Sequence, residues 1–131
     1  MIGNTFGKTG KNYSAGKNVW YEVTERMPVG ATIAVGSGTS YTAGAVIPSG
    51  TLLNVNDVAH TCTVVSSAGT TENPSTFNAI LENDIYVEEG DTVATATCVK
   101  GGVIYGSRMP VPIGQDQMSA NLPKVTVYNE A

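Results

Sequence analysis

An all-β domain, a small barrel or sandwich with an extended N-terminal arm, is the fold class that the sequence predicts. Short runs rich in β-branched and aromatic residues recur along the chain, and Gly- or Pro-containing turns separate them. Helical periodicity is nearly absent. One corner also repeats: Ile47-Pro48-Ser49-Gly50-Thr51 and Val87-Glu88-Glu89-Gly90-Asp91 share an apolar residue, two turn-compatible residues, a glycine and a small polar residue. A looser copy stands at Met27–Thr32, "MPVGAT". Such a pattern supplies a strand end, a two-residue corner and a glycine able to take positive φ, so Pro48, Gly50 and Gly90 are read as structural corners.

The elements follow in order. "VWYEVT" (Val19–Thr24) and "ATIAV" (Ala31–Val35) read as strands, and "GSGTSYTAG" (Gly36–Gly44) is a loop of small residues. In "AVIPSGTLLNV", Pro48-Ser49-Gly50 ends one strand and starts another. "HTCTVVS" (His60–Ser66) alternates, and "SAGTTENPST" (Ser67–Thr76) is a polar loop. "FNAIL" (Phe77–Leu81) leads into "IYVEEGDTVATATCV", and "GGVIYGSRM" (Gly101–Met109) continues the strand pattern. One short helix fits, near residues 114–122, with Asp116 as its N-cap and Pro123 ending it. "KVTVY" (Lys124–Tyr128) closes the chain as a strand with Val125 and Val127 on one face.

A length of 131 residues suits one domain. Charged residues make up 14% of the chain, well below the roughly 25% of an average domain. The charge is unevenly placed: the first 21 residues hold three lysines and no acid, whereas the remainder holds four basic residues against eleven acids. The stretch "GNTFGKTGKNYSAGKN" is rich in Gly, Asn and Ser and lacks periodicity, which predicts a flexible basic and aromatic arm over residues 1–21 followed by a β-rich domain over 22–131. Its lysines, Lys8, Lys11 and Lys17, lack the arginine cluster and stacking aromatics of a nucleic-acid surface. Phe6, Tyr13, Trp20 and Tyr21 put four of the nine aromatics in this arm, a composition suited to ordering against a partner. No window approaches the ~18 consecutive apolar residues of a membrane span, so a soluble protein without a membrane partner is expected.

Candidate chemistry is sparse. His60 is the only histidine and no nucleophile motif accompanies it, so it reads as a residue at a strand edge. One histidine and two separated cysteines, Cys62 and Cys98, make no zinc pattern, and both cysteines read as reduced, buried small hydrophobes. The acids Glu82, Asp84, Glu88, Glu89 and Asp91 do not have the spacing of a calcium loop and read as solvated carboxylates guarding a sheet edge. The expectation is a non-enzyme with no catalytic residue, no metal and no cofactor. "GSRMPVPIG" (Gly106–Gly114) sets Arg108 and Met109 beside Pro110 and Pro112, which favour an extended segment able to cross onto a neighbour.

"AVIPSGTLL" followed by "AILENDIYVEEGDTVATATCVKGGVIYGSRM" resembles the head-decoration and head-fibre proteins of tailed bacteriophages. In these an "IPAGT"-like corner precedes a segment "x-L-x-x-D-V-x-V-x-x-G" and a late "V-Y-x-x-R" strand. The resemblance spans Ala45 to Met109 and rests on Ile47, Pro48, Gly50, Thr51, Asp84, Val87, Gly90 and Arg108. It implies a compact β-tulip-like fold on the outer surface of a virion capsid, contacting the major capsid protein, commonly as a homotrimer. Lys8, Lys11, Tyr13, Lys17, Trp20, Tyr21, Arg108 and Met109 are then the candidate capsid or subunit contacts.

Two alternatives belong to other classes. "VEEGDTVATATCVKGG" is similar to biotinyl or lipoyl carrier domains, but Lys100 in "CVKGG" lacks their flanking residues. A sugar-binding β-module would draw its aromatic platforms from Trp20, Tyr41, Tyr86 or Tyr105.

Overall fold

The structure, a computed structural model, describes residues 19–67 and 75–128. It is all-β with one short helix: β1 (Trp20–Arg26), β2 (Ala31–Ala34), β3 (Val46–Ile47), β4 (Leu52–Asn56), β5 (Thr61–Val65), β6 (Ala79–Leu81), β7 (Ile85–Tyr86), β8 (Val93–Ala96), β9 (Cys98–Tyr105), α1 (Gln115–Asn121) and β10 (Val125–Tyr128). A 3₁₀ turn, Gly106–Arg108, follows β9.

One sheet holds most of the strands, in the order β10-β9-β6-β4-β5-β2-β8, with β1 on the other edge of β9. β3 and β7 form a separate two-stranded ladder. The ladders are antiparallel except β9–β10 and β2–β5. Because β8 runs through the single residue Thr97 into β9, one continuous stretch of chain pairs with β2 by its first half and with β6 by its second. The sheet must therefore curl, and it forms a half-barrel.

That curl gives β4, β6 and β9 two buried faces, which explains their unbroken apolar runs. Leu53, Ala79, Leu81 and Cys98 point into the half-barrel with Ile33, Val55, Cys62 and Ala96. Their sequence neighbours Leu52, Ile80 and Val99 face the opposite way, into a second core with Trp20, Phe77, Ile104, Met118 and Val125. Helix α1 lies over this second core. Met118 is fully buried and Leu122, one turn on, nearly so.

Asp116 is not the cap of this helix. Gly114 holds the N-cap position, its N–H donating to Gln117 Oε1 at 3.2 Å, while Asp116 sits in the first turn, where a carboxylate suits the helix dipole.

Side-chain amides finish the sheet where strands run out. Asn78 Oδ1 accepts from Val55 N–H at 2.7 Å and its Nδ2 donates to Val55 O at 2.9 Å. Gln115 does the same on β10, accepting from Val127 N–H at 2.7 Å and donating to Val125 O at 3.2 Å. Asn121 accepts from Phe77 N–H and donates to Ser75 O. Each amide presents the donor and acceptor that a further strand would have offered.

The repeated corner is structural. Thr51 N–H donates to Pro48 O and Asp91 N–H to Glu88 O, with Gly50 at φ 89° and Gly90 at φ 92° in the third position of each turn. The copy at Met27–Thr32 differs: Gly30 has no positive φ, and it is glycine because a Cβ there would lie 2.9 Å from Ala96 O. Two further copies were hidden in the small-residue loop. Thr39 N–H closes on Gly36 O around Gly38 (φ 86°), and Ala45 N–H closes on Thr42 O around Gly44 (φ 90°). His60, rather than ending a strand, closes the β4–β5 hairpin in a left-handed conformation (φ 58°), with its N–H on Asn56 O.

Candidate functional site: an aromatic surface groove

Strand alternation creates the most distinctive exposed surface. In β1, Trp20 turns inward and Tyr21 outward. In β9, Ile104 turns inward while Val103 and Tyr105 face out. The parallel register sets Tyr128 of β10 directly opposite Tyr105. Tyr105 therefore lies between two other rings. Its centroid is 6.1 Å from that of Tyr21 with the planes at 87°, and 5.8 Å from that of Tyr128 at 76°. Both are edge-to-face geometries, which aromatic quadrupoles favour. The guanidinium of Arg108, delivered by the 3₁₀ turn, stands 4.2 Å from the Tyr105 centroid as a cation–π contact.

Tyr21, Val103, Tyr105 and Tyr128 line a groove of about 340 Å³. Tyr21 is 68% exposed and Tyr128 55%, so the outer rings are presented to solvent and only Tyr105 is half-buried. Further along β9, the missing side chain of Gly101 leaves room for Glu25 and Lys124 to close over the strand in an ion pair at 3.1 Å. The walls carry three rings and one aliphatic side chain, with the Arg108 guanidinium packed on the Tyr105 ring beside them.

Of the residues expected to form a contact surface, Tyr21 and Arg108 converge here. Trp20 does not: it is 6% exposed, packs in the second core, and its Nε1 donates to Leu81 O at 3.2 Å. With Val19 also buried and its carbonyl accepting from Tyr105 N–H at 2.8 Å, residues 19–21 belong to the folded body rather than to an arm ending at residue 21. Met109 is likewise core, 4% exposed. Pro110 packs over the Pro48–Gly50 corner, where a Cβ on Gly50 would meet it at 3.3 Å. Lys8, Lys11, Tyr13 and Lys17, with Phe6, lie outside the described residues.

Tyr41 and Tyr86 stand apart from the groove. Tyr41 is half-buried, and burial raises its hydroxyl pKa. Tyr86 is on the β3–β7 ladder, its hydroxyl 3.4 Å from Asp84 Oδ2. Three groove residues were not among the expected capsid or subunit contacts: Tyr105, named only as a platform for a sugar, and Val103 and Tyr128, named for neither. Period-two alternation in "GGVIYGS" and "KVTVY" puts the last two on outer faces, but only the parallel register of β9 and β10 brings them together.

Comparison with models of known protein families and with curated proteins yields no match. What the fold and the groove define is a structural class: an all-β half-barrel with an exposed tyrosine groove beside an arginine.

Proposed function

We propose that the chain is a structural virion protein that decorates the outer face of a tailed-phage capsid, docking on the major capsid protein through the Tyr21–Tyr105–Tyr128–Arg108 surface. The observation that carries this reading is the convergence of three tyrosines and an arginine, from β1, β9, β10 and the adjoining turn, on one exposed face. Trp, Tyr and Arg are the residue types enriched among those that dominate binding energy at protein interfaces, and rings already packed edge-to-face on one another lose little conformational entropy on docking. The resemblance of Ala45–Met109 to head-decoration and head-fibre proteins supplies the capsid as partner and three copies as the assembly.

Undecorated capsids of the phage that encodes the chain, mixed with the purified protein and sedimented, test the reading. Saturable co-sedimentation in multiples of three copies supports it, and a protein left in the supernatant at tens of micromolar counts against it. Binding of labelled glycans without co-sedimentation would favour the sugar-binding alternative, since the same rings offer faces for sugar C–H groups and hydroxyls for hydrogen bonds.

A further inference from the structure

Cys62 in β5 and Cys98 at the head of β9 are far apart in sequence and separated by two intervening strands, β4 and β6, along the sheet. The curl nevertheless brings them together inside the half-barrel, where both are buried in the same core and their thiols are hydrogen-bonded to each other. They are the only cysteines of the chain, so neither has a competing partner within it. We propose that Cys62 and Cys98 form an oxidation site, a dithiol that a hydroperoxide converts into a disulfide across the interior of the half-barrel, fixing its curl.

The surroundings favour this reaction. Cys98 Sγ also lies 3.8 Å from Ala96 O, and the residues on the adjoining ladder, Ala31 and Ala96, are small. Cys62 contributes to the walls of two surface depressions, one beside Asn54–Asn56 and one beside Thr39–Tyr41, and through its contact with Cys98, which lines neither, they give a small oxidant a way to the thiol pair. The hydrogen bond to Cys98, and then burial, push the Cys62 thiol up, whereas accepting that bond lowers Cys98. Of the two thiols, Cys98 is the one this contact favours as the thiolate.

In the first step the Cys98 thiolate attacks one peroxide oxygen. The O–O bond breaks, and Cys98 becomes a sulfenic acid while the departing hydroxide, or alkoxide, takes up a proton. In the second, the Cys62 sulfur attacks Cys98 Sγ, the S–O bond breaks, and the proton of Cys62 leaves with the oxygen as water. Hydrogen peroxide thus gains two electrons and ends as two waters, while the dithiol loses two electrons and two protons. The product links β5 to β9 and encloses β6, β7 and β8 in a covalent loop.

The test uses the full chain, exposed to dilute hydrogen peroxide, then unfolded with an alkylating reagent and weighed by intact-mass spectrometry. The expected product has lost two hydrogens, carries no alkyl group, returns to the dithiol with reductant, and melts at least about 5 °C higher than the reduced protein. Two alkyl groups on the treated chain, added oxygens without a disulfide, or a disulfide joining two chains would each overturn the proposal. Cys62→Ser, if it folds, should lose the peroxide-induced rise in melting temperature; a rise that survives this substitution contradicts the assignment.

Discussion

Asn78 pairs with Val55 as a strand would, its side-chain carbonyl 2.7 Å from the Val55 N–H and its amide nitrogen 2.9 Å from the Val55 carbonyl. The amide completes β4 where β6 is too short to reach. Asn78→Ala leaves both backbone groups of Val55 without these partners and is expected to destabilise the fold by about 1–3 kcal/mol in denaturant titrations. Asn78→Asp should cost at least as much, since a carboxylate cannot donate to the Val55 carbonyl and repels it.

The two matched corners separate backbone strain from steric clash. Both glycines have left-handed φ, yet a Cβ on Gly50 would lie 2.8 Å from Val19 Cγ1, while one on Gly90 would meet nothing within 4 Å. Gly90→Ala should cost about 1 kcal/mol, the strain alone, and Gly50→Ala about 2–3 kcal/mol, the strain plus the displaced contact. Equal costs at the two sites would remove the clash from the explanation.

Trp20 is assigned to the core, and graded substitution can separate its two contributions. Trp20→Phe keeps an aromatic ring but removes the donor to Leu81 O, an expected loss of about 1 kcal/mol. Trp20→Ala empties the site as well and should cost about 3–5 kcal/mol. A residue serving only as a contact for a partner would show neither loss in the isolated protein.

One ion pair makes a pH signature. Arg26 Nε and Nη2 reach the two oxygens of Glu82 at 2.6 and 2.7 Å, joining β1 to the residue after β6. The hydrogen bond and charge of Arg26 hold the Glu82 carboxyl below its ordinary value of 4.5. A carboxyl lowered in the folded state adds stability that is present above its unfolded pKa and is lost as pH falls through the folded one. Thermal unfolding of the wild type against Glu82→Gln should therefore show an advantage above about pH 4.5 that shrinks below it. A difference independent of pH would contradict this coupling.

How far the sequence reached follows from where its signals were local. The strands of "ATIAV", "HTCTVVS" and "KVTVY" were legible because their alternation is written in consecutive residues, and the corners at Gly50 and Gly90 because a glycine after two turn residues has few other uses. Gly38 and Gly44 use the same turn, but with small residues on both sides no apolar strand end marked them. Trp20 and Tyr21 looked alike as aromatic anchors. Their separation into core and surface follows from the alternation of β1 once its pairing with β9 is known, and that pairing is a tertiary fact. Likewise, nothing local placed Tyr128 beside Tyr105, or Cys62 beside Cys98. Each pair is made by the curl of the sheet or by a parallel register.

Capsid binding by single-site variants tests most directly the claim that the tyrosine–arginine surface is the docking face. The variants are Tyr105→Ala, Tyr128→Ala and Arg108→Ala, with Val58→Ala as a control because Val58, at the β4–β5 turn, is 91% exposed and outside the groove. Each groove variant should remain folded and bind capsids at least about tenfold more weakly, the loss expected of a residue worth more than roughly 1.4 kcal/mol at an interface, while Val58→Ala binds as the wild type does. Groove variants that decorate capsids as tightly as the wild type would contradict the assignment.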